Sequence, residues 1–318
     1  MKFDLNPIKF EVNMKYIRQS ILGTCVFAYS AISAQTENYF EFKTNFKKGE
    51  KFTYQLSETK FKQNQNGQYL YLQYDTTYIM FEVAEKNDSN TIINLNYADA
   101  IYNGAAINDP MTAKSVLQTE TYQLVFAPNG EFIELQNWDK FAQALINNIK
   151  ISYYNKEIDS NTLKYYYVFY HSQENVEKTV IPRILDLMSL YGESYNIGTN
   201  YYLAKEVVNP FGGMNLMKSG IFKASINDNL KNSVFMTGKV ETDNEDNETL
   251  QEDYYNYINE KKPNIFTEAA PYIYISDSYQ YQYGNISNRI LQFNTTHTVY
   301  LSQDSKQGLD RTYKLVGF

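Results

Sequence analysis

The chain has 318 residues, yet it holds one cysteine, one tryptophan, two histidines and seven prolines. Each shortage removes chemistry. A single thiol, Cys25, cannot close a disulfide within the chain. His171 and His297 stand in no His-Glu-x-x-His or comparable spacing, so zinc is not expected. A Ser-His-Asp triad would need one of these two, and no Gly-x-Ser-x-Gly elbow exposes a nucleophile. Glycine loops that cradle phosphates are missing too: Gly212-Gly213 follows Pro210-Phe211 and reads as a turn. No cofactor is therefore expected. Positive charge is also scarce. A net charge of −7 leaves no basic face to displace counterions from phosphates, which excludes a nucleic-acid partner. Mean hydropathy is −0.52, too polar for a bundle of membrane helices.

What the chain has in quantity is tyrosine, 31 residues, beside 19 phenylalanines. With 43% hydrophobic residues it is globular rather than disordered.

Residues 14–34 read MKYIRQSILGTCVFAYSAISA. Lys15 and Arg18, then apolar Ile21 to Ile32, then small residues before Gln35 are the order of a secretory signal peptide. The apolar run is about 12 residues, short of the roughly 20 a spanning helix needs. Residues 1–34 thus read as a leader with its start at Met14 and cleavage after Ala34. Its loss removes four basic and two acidic residues and leaves a mature charge of −9. Cys25 leaves with it, and with it any thiolate nucleophile. Acylation of Cys25 is the alternative, against which Thr24 is a poor preceding residue. The expected location is export, to the periplasm or the outer-membrane or extracellular side.

Beyond Asn38 the pattern is alternation broken by turns. Phe52, Tyr54 and Leu56 alternate with Thr53, Gln55 and Ser57; Asn66-Gly67 follows, then Tyr69, Tyr71 and Tyr78 to Val83. Thr91 to Tyr97 is a further strand, and Tyr122 to Phe126, Pro128-Asn129-Gly130 and Phe132 to Leu135 form a hairpin. Helical spacing occurs at Trp138, Phe141, Leu145, Ile146 and Ile149, with Asn137 as N-cap. It recurs at Val180, Ile184, Leu185, Met188 and Tyr191, with Pro182 in the first turn. Leu250, Tyr254, Tyr257 and Ile258 form a third face, stopped before Pro263. Tyr153 to Tyr170 fits strand or helix. The expected organisation is a β-rich module over 35–150 ending in a helix, a helical and aromatic connector over 151–195, and a second β-rich module over 196–318 with an insertion at 243–271. Similar stretches recur in both modules, such as Phe81 to Ile93 and Phe222 to Val234.

The leader ending in Ala-Gln, the strand opening Lys47 to Phe52, the Asn-Gly hairpin running into a Trp/Phe/Leu helix (Asn129 to Ile149) and the segment Gly198 to Tyr201 together resemble an uncharacterised family of secreted Bacteroidetes proteins, a domain of unknown function. Where that pattern carries Gly-Asp-x-Trp, this chain has Gly-Thr-Asn-Tyr. The resemblance implies a long curved antiparallel sheet wrapped on helices, similar to lipoprotein-carrier half-barrels, and implies no activity.

The fold expected is mainly β with a few helices (α+β): a long curved antiparallel sheet, or two related half-barrel-like modules, packed on helices. A closed outer-membrane barrel competes with it, but Arg311 and Lys314 interrupt the last strand. For sites, Tyr279, Tyr281 and Tyr283 alternate with Gln280 and Gln282 and share one strand face, as do Tyr69 and Tyr71. They are the candidate ligand-binding residues, as an aromatic platform for a sugar, peptide or lipid tail. The competing explanation is cross-strand aromatic packing. The acidic run Asp243 to Glu248 offers oxygen ligands for calcium, or a solvated start to the third helix. Glu131, Glu134, Asp139, Glu193 and Asp277 supply carboxylates for a hydrolase without being paired by the sequence. The function expected is a non-catalytic binding module of the cell envelope for an apolar or amphipathic ligand, its partner an envelope lipid, a glycan or another envelope protein. A structural or adhesive surface protein and a carboxylate-dependent hydrolase are the alternatives.

Overall fold

The computed structural model describes residues 39–64, 66–103, 120–207, 209, 216–226, 233–261, 273–300 and 306–317. The leader and Ala34 lie outside them, as do Pro210 to Gly213. In chain order the elements are β1 (Tyr39–Glu41), β2 (Lys51–Gln63), β3 (Tyr69–Lys86), β4 (Thr91–Asn103), β5 (Tyr122–Phe126) and β6 (Phe132–Leu135). Then come α1 (Trp138–Tyr154), α2 (Ser160–Phe169), α3 (Gln173–Val180) and α4 (Pro182–Met188). The second half holds β7 (Ser194–Asn196), β8 (Asn200–Val207), β9 (Leu216–Ile226), β10 (Ser233–Thr242), α5 (Asn244–Lys261), β11 (Tyr274–Gly284), β12 (Arg289–Tyr300) and β13 (Lys306–Gly317).

Eleven strands form one antiparallel sheet in the order β6-β5-β4-β3-β2-β13-β12-β11-β10-β9-β8, and β1 pairs with β7 in a small second sheet. The fold is thus mainly β with helices, built on one long sheet. Among the described residues β6 and β8 are its two edges and do not pair, so it is no closed barrel. Two five-stranded meanders, β2 to β6 and β8 to β12, run through the sheet in the same direction, and β13 is seated between them.

Turn chemistry fixes the hairpins. Gly67 adopts φ 75°, and the Asn64 side chain accepts from the backbone N–H of Asn66 and Gln68. Asn87 does the same for Ser89 and Asn90. Alternation then decides which face is covered. Phe52, Tyr54 and Leu56 of β2 lie beside Phe81 and Ile79 of β3, Leu95 and Ile93 of β4, and Tyr122 and Leu124 of β5, all buried. On this inner face sit α1 to α4, contributing Phe141, Leu145, Ile149, Val176, Val180, Ile184 and Leu187 to the main core. A smaller cluster, Leu216, Leu250, Ile273, Ile275 and Val299 with Tyr254 against it, joins α5 to β9, β11 and β12 on the same face.

Asn137 stands before α1, but its side chain makes no cap bond. Instead it accepts from Gln123 N and donates to Thr121 O, tying the helix start to β5. The expected face from Val180 to Tyr191 is split between two helices, because Pro182 opens α4 and Ile181 serves as the end of one and the start of the other. The undecided stretch Tyr153 to Tyr170 contains α2, where the Asp159 carboxylate accepts from Thr162 N at 2.7 Å.

Candidate functional site

On β2 the inward positions run Phe52, Tyr54, Leu56, then Glu58 and Lys60. β13 continues from Tyr313 to Arg311 and Leu309, β12 from Phe293 to Thr295 and His297, and β11 from Tyr281 to Tyr279 and Asp277. Register aligns these changes. One row across the inner face reads Asp75, Glu58, Arg311, Thr295 and Tyr279; the next reads Gln73, Lys60, Leu309, His297 and Asp277. The sheet therefore carries a polar strip on its helix-bearing side, between the apolar core under α1 to α4 and the smaller cluster under α5.

At one end of the strip Asp277 bonds Lys218 Nζ at 2.8 Å and His297 Nδ1 at 2.6 Å. Burial by itself would raise the Asp277 pKa, but the His297 hydrogen bond and the Lys218 charge outweigh it and hold the carboxyl below its usual range. Asp277 and Lys218 are buried, whereas the His297 side chain is 46% exposed. Tyr279, whose hydroxyl lies 3.5 Å from Asp277, has its phenol pKa raised by burial and then by that carboxylate.

Toward the other end Glu58 takes two guanidinium groups, Arg311 at 2.7 Å from β13 and Arg183 at 2.9 Å from α4. Beside them the Tyr313 hydroxyl is fully buried and, among the described residues, has no hydrogen-bond partner; nor has Asp75 Oδ1, although the other Asp75 oxygen accepts from Gln73. Burial pushes the Tyr313 phenol up while Arg311 pulls it down. On β4 burial likewise pushes Tyr97 up to about 12.

The paired charges lie deep, Lys218 with Asp277 and Arg311 with Glu58, while Arg183 and His297 reach solvent. Glu58 is 12% exposed and Asp277 9%, each already paired; Arg183 is 41% exposed and His297 46%. Lys60 is exposed and forms no ion pair among the described residues. Solvent therefore meets cations and hydrogen-bonding nitrogen first.

The tyrosines singled out from the sequence fall on opposite faces. Tyr279, Tyr281 and Tyr283 point inward, and the last two are buried. Tyr281 stacks on Phe293 at 4.0 Å, which stacks on Tyr313 at 5.2 Å, in a ladder across three strands. The Tyr281 hydroxyl donates to Asp186 O of α4, and that of Tyr283 donates to Lys43 O. These rings hold helices and the N-terminal segment to the sheet. Tyr69 and Tyr71 lie on the outer face, exposed and stacked on each other at 6.4 Å. Lys306 Nζ sits 5.5 Å from the Tyr69 ring and 5.6 Å from that of Tyr300, and Tyr300 stacks on Tyr274 at 4.0 Å. Tyr274 and Tyr300 thus turn a ring face on each other, as cross-strand packing requires.

Other candidates are dispersed. Burial raises the pKa of Glu177 on α3 and of Glu193 before β7, while Asp277 lies on β11. Of the acidic run, Asp243 accepts from Ser219 Oγ and Asp246 from Met217 N, both on β9. His171 bonds Tyr167 O within its own helix end. The sequence marks Asp277 and His297 only singly and Arg311 only as a break in a barrel strand, and gives Glu58, Lys60, Arg183 and Lys218 no role. The available signal was parity: charged residues at positions where the strand's other members face the core.

No protein-family model matches the chain, and no curated protein matches it. Among solved structures, one of lipovitellin concerned with lipid–protein interactions is similar, with TM-score 0.42 and 8% identity over 86% of this chain and 26% of that one. The chain spans about a quarter of that structure's length. No helix among the described residues is long and apolar enough to cross a membrane.

Proposed function

We propose that this is an exported, non-catalytic binding protein of the cell envelope that holds an amphipathic ligand on the helix-bearing face of its sheet. The observation that carries this reading is the solvent-reachable polar strip between two apolar clusters, with Leu309 half-buried within it and Leu70 and Leu72 exposed at its β3 end. Such a lining offers hydrogen bonds to a head and apolar surface to a tail. Binding is favoured over hydrolysis because Asp277 is already neutralised by Lys218, and the two acids with raised pKa sit on other elements.

The test is mass spectrometry of the organic extract from protein recovered, without detergent, from its native envelope. An acyl-chain amphiphile in near-stoichiometric amount is expected, unchanged by Tyr69→Ser/Tyr71→Ser, with a protein N-terminus at Gln35. A clean extract, together with loss of envelope association in that double variant, would replace this reading with the adhesive one, in which the exposed outer tyrosines are the contact.

A further inference from the structure

We infer that the head of that ligand is an oxyanion, a carboxylate or a phosphate, received by Arg183, Lys60 and His297; this rests on the binding reading above and specifies its chemistry. The chain as a whole is acidic, at −7, so an exposed cationic rim on its inner face is a local reversal of sign. The reversal arises at the solvent edge rather than from the number of charges, since Lys218 is buried with its acid while Arg183 and His297 are not. Glu58, Asp75 and Asp277 lie low in the strip, and Glu58 and Asp277 are each bonded to cations. Asp186 of α4 is half-buried. Arg183 shares its one carboxylate with Arg311, which leaves guanidinium N–H groups over. Lys60 lies two residues along β2 from Glu58 on the same side, and His297 lies two strands from Lys60, about 10 Å at the usual 4.8 Å strand spacing. The side chains of Lys60 and His297 can reach one head group from either side, and Arg183, held at Glu58 beside Lys60, faces the same place.

His297 fits the same head in either protonation state. With Nδ1 given to Asp277, Nε2 accepts from the hydroxyl of a singly charged phosphate, or donates to an anionic oxygen when the ring is charged. Beneath the rim, the buried Tyr313 hydroxyl, without a partner among the described residues, lies in the field of Arg311 and Arg183. A buried unpaired hydroxyl is costly, and Tyr313 sets no negative charge against the positive field under the rim. Next to the strip, exposed Leu70 and Leu72 extend the surface over which an alkyl tail would lie.

Isothermal titration of the full mature chain with dodecanoate, dodecyl phosphate, dodecanol and dodecyltrimethylammonium, each below its critical micelle concentration, decides this. The anions are expected to bind at least tenfold more tightly than dodecanol, and the ammonium more weakly than dodecanol. Preference for dodecanoate points to a free acyl carboxylate and preference for dodecyl phosphate to a phosphate head; either supports the inference. The double variant Lys60→Gln/Arg183→Gln should bring anion and alcohol within threefold by lowering anion affinity. Glu58 keeps Arg311 in that variant, and an unchanged melting profile verifies its fold. Lys60→Glu alone, at an exposed site, should lower anion affinity in the same direction. Equal binding of anion and alcohol by the native chain overturns the head-group inference and leaves the binding function standing. Failure of all four probes overturns both.

Discussion

Asp277 shows how one side chain sets the character of its surroundings. Lys218, two strands away on β9, and the His297 hydrogen bond from the adjacent β12 hold it ionised in a place where burial opposes charge. Removing Lys218 alone would leave that buried carboxylate with only the half-exposed His297, so Lys218→Met should cost about 3–5 kcal/mol, the usual scale for breaking a buried pair from one side. Changing Lys218→Met and Asp277→Leu together should recover most of the loss, as measured by urea midpoints. The depressed pKa has a second consequence. Stability owed to the charged Asp277 is complete above the unfolded value of about 3.9 and drains away as pH falls from there toward the folded pKa. Asp277→Asn should therefore flatten the acid limb of stability below pH about 4, because its stability no longer contains that titration. An acid limb as steep as the native one would show that other carboxylates carry it.

Among elements, α3 against β6 carries a charge burden. Glu177 accepts from Leu135 N at 2.8 Å and from Gln173 Nε2 at 2.9 Å, yet burial, with Glu134 and Glu174 nearby, raises its pKa. A raised carboxyl pKa means the folded state binds the proton more tightly, so stability is lost as pH rises through that range. Glu177→Gln keeps an acceptor for both bonds and sheds the charge. It should raise the melting temperature at pH 7 and give no gain at pH 4; a loss at pH 7 would contradict this account. Element by element, legibility in the sequence followed local chemistry. β5 and β6 were read to the residue because alternation and the Pro128-Asn129-Gly130 turn coincide. β3 was read in pieces, since Asp75-Thr76-Thr77 interrupts its apolar pattern over a strand of 18 residues. The tyrosine run in α2 suits helix or strand equally, and only the Asp159 cap separates them. Inward charges could be found by following parity, but their company could not. Arg311 meets Glu58 across 253 residues of sequence, through a register no local pattern specifies.

For the molecule as a whole, the junction is the pairing of β13 with β2 on one side and β12 on the other. Each meander forms from hairpins between neighbours in sequence, and β13 alone makes them one sheet. A chain shortened to end at Tyr300 should lose the single cooperative unfolding transition and either melt in two steps or associate through the uncovered edges. One transition with the native midpoint would show the meanders to be coupled through the helices instead.

The place of β13 in chain order also sets a timetable. A ribosome delivers β2 long before β13, which follows every other described strand, so until β13 is made β2 presents a bare backbone edge with nothing of its own to meet it. The nascent protein cannot shut its own seam. Whatever shields that edge in the interval must let go when β13 arrives.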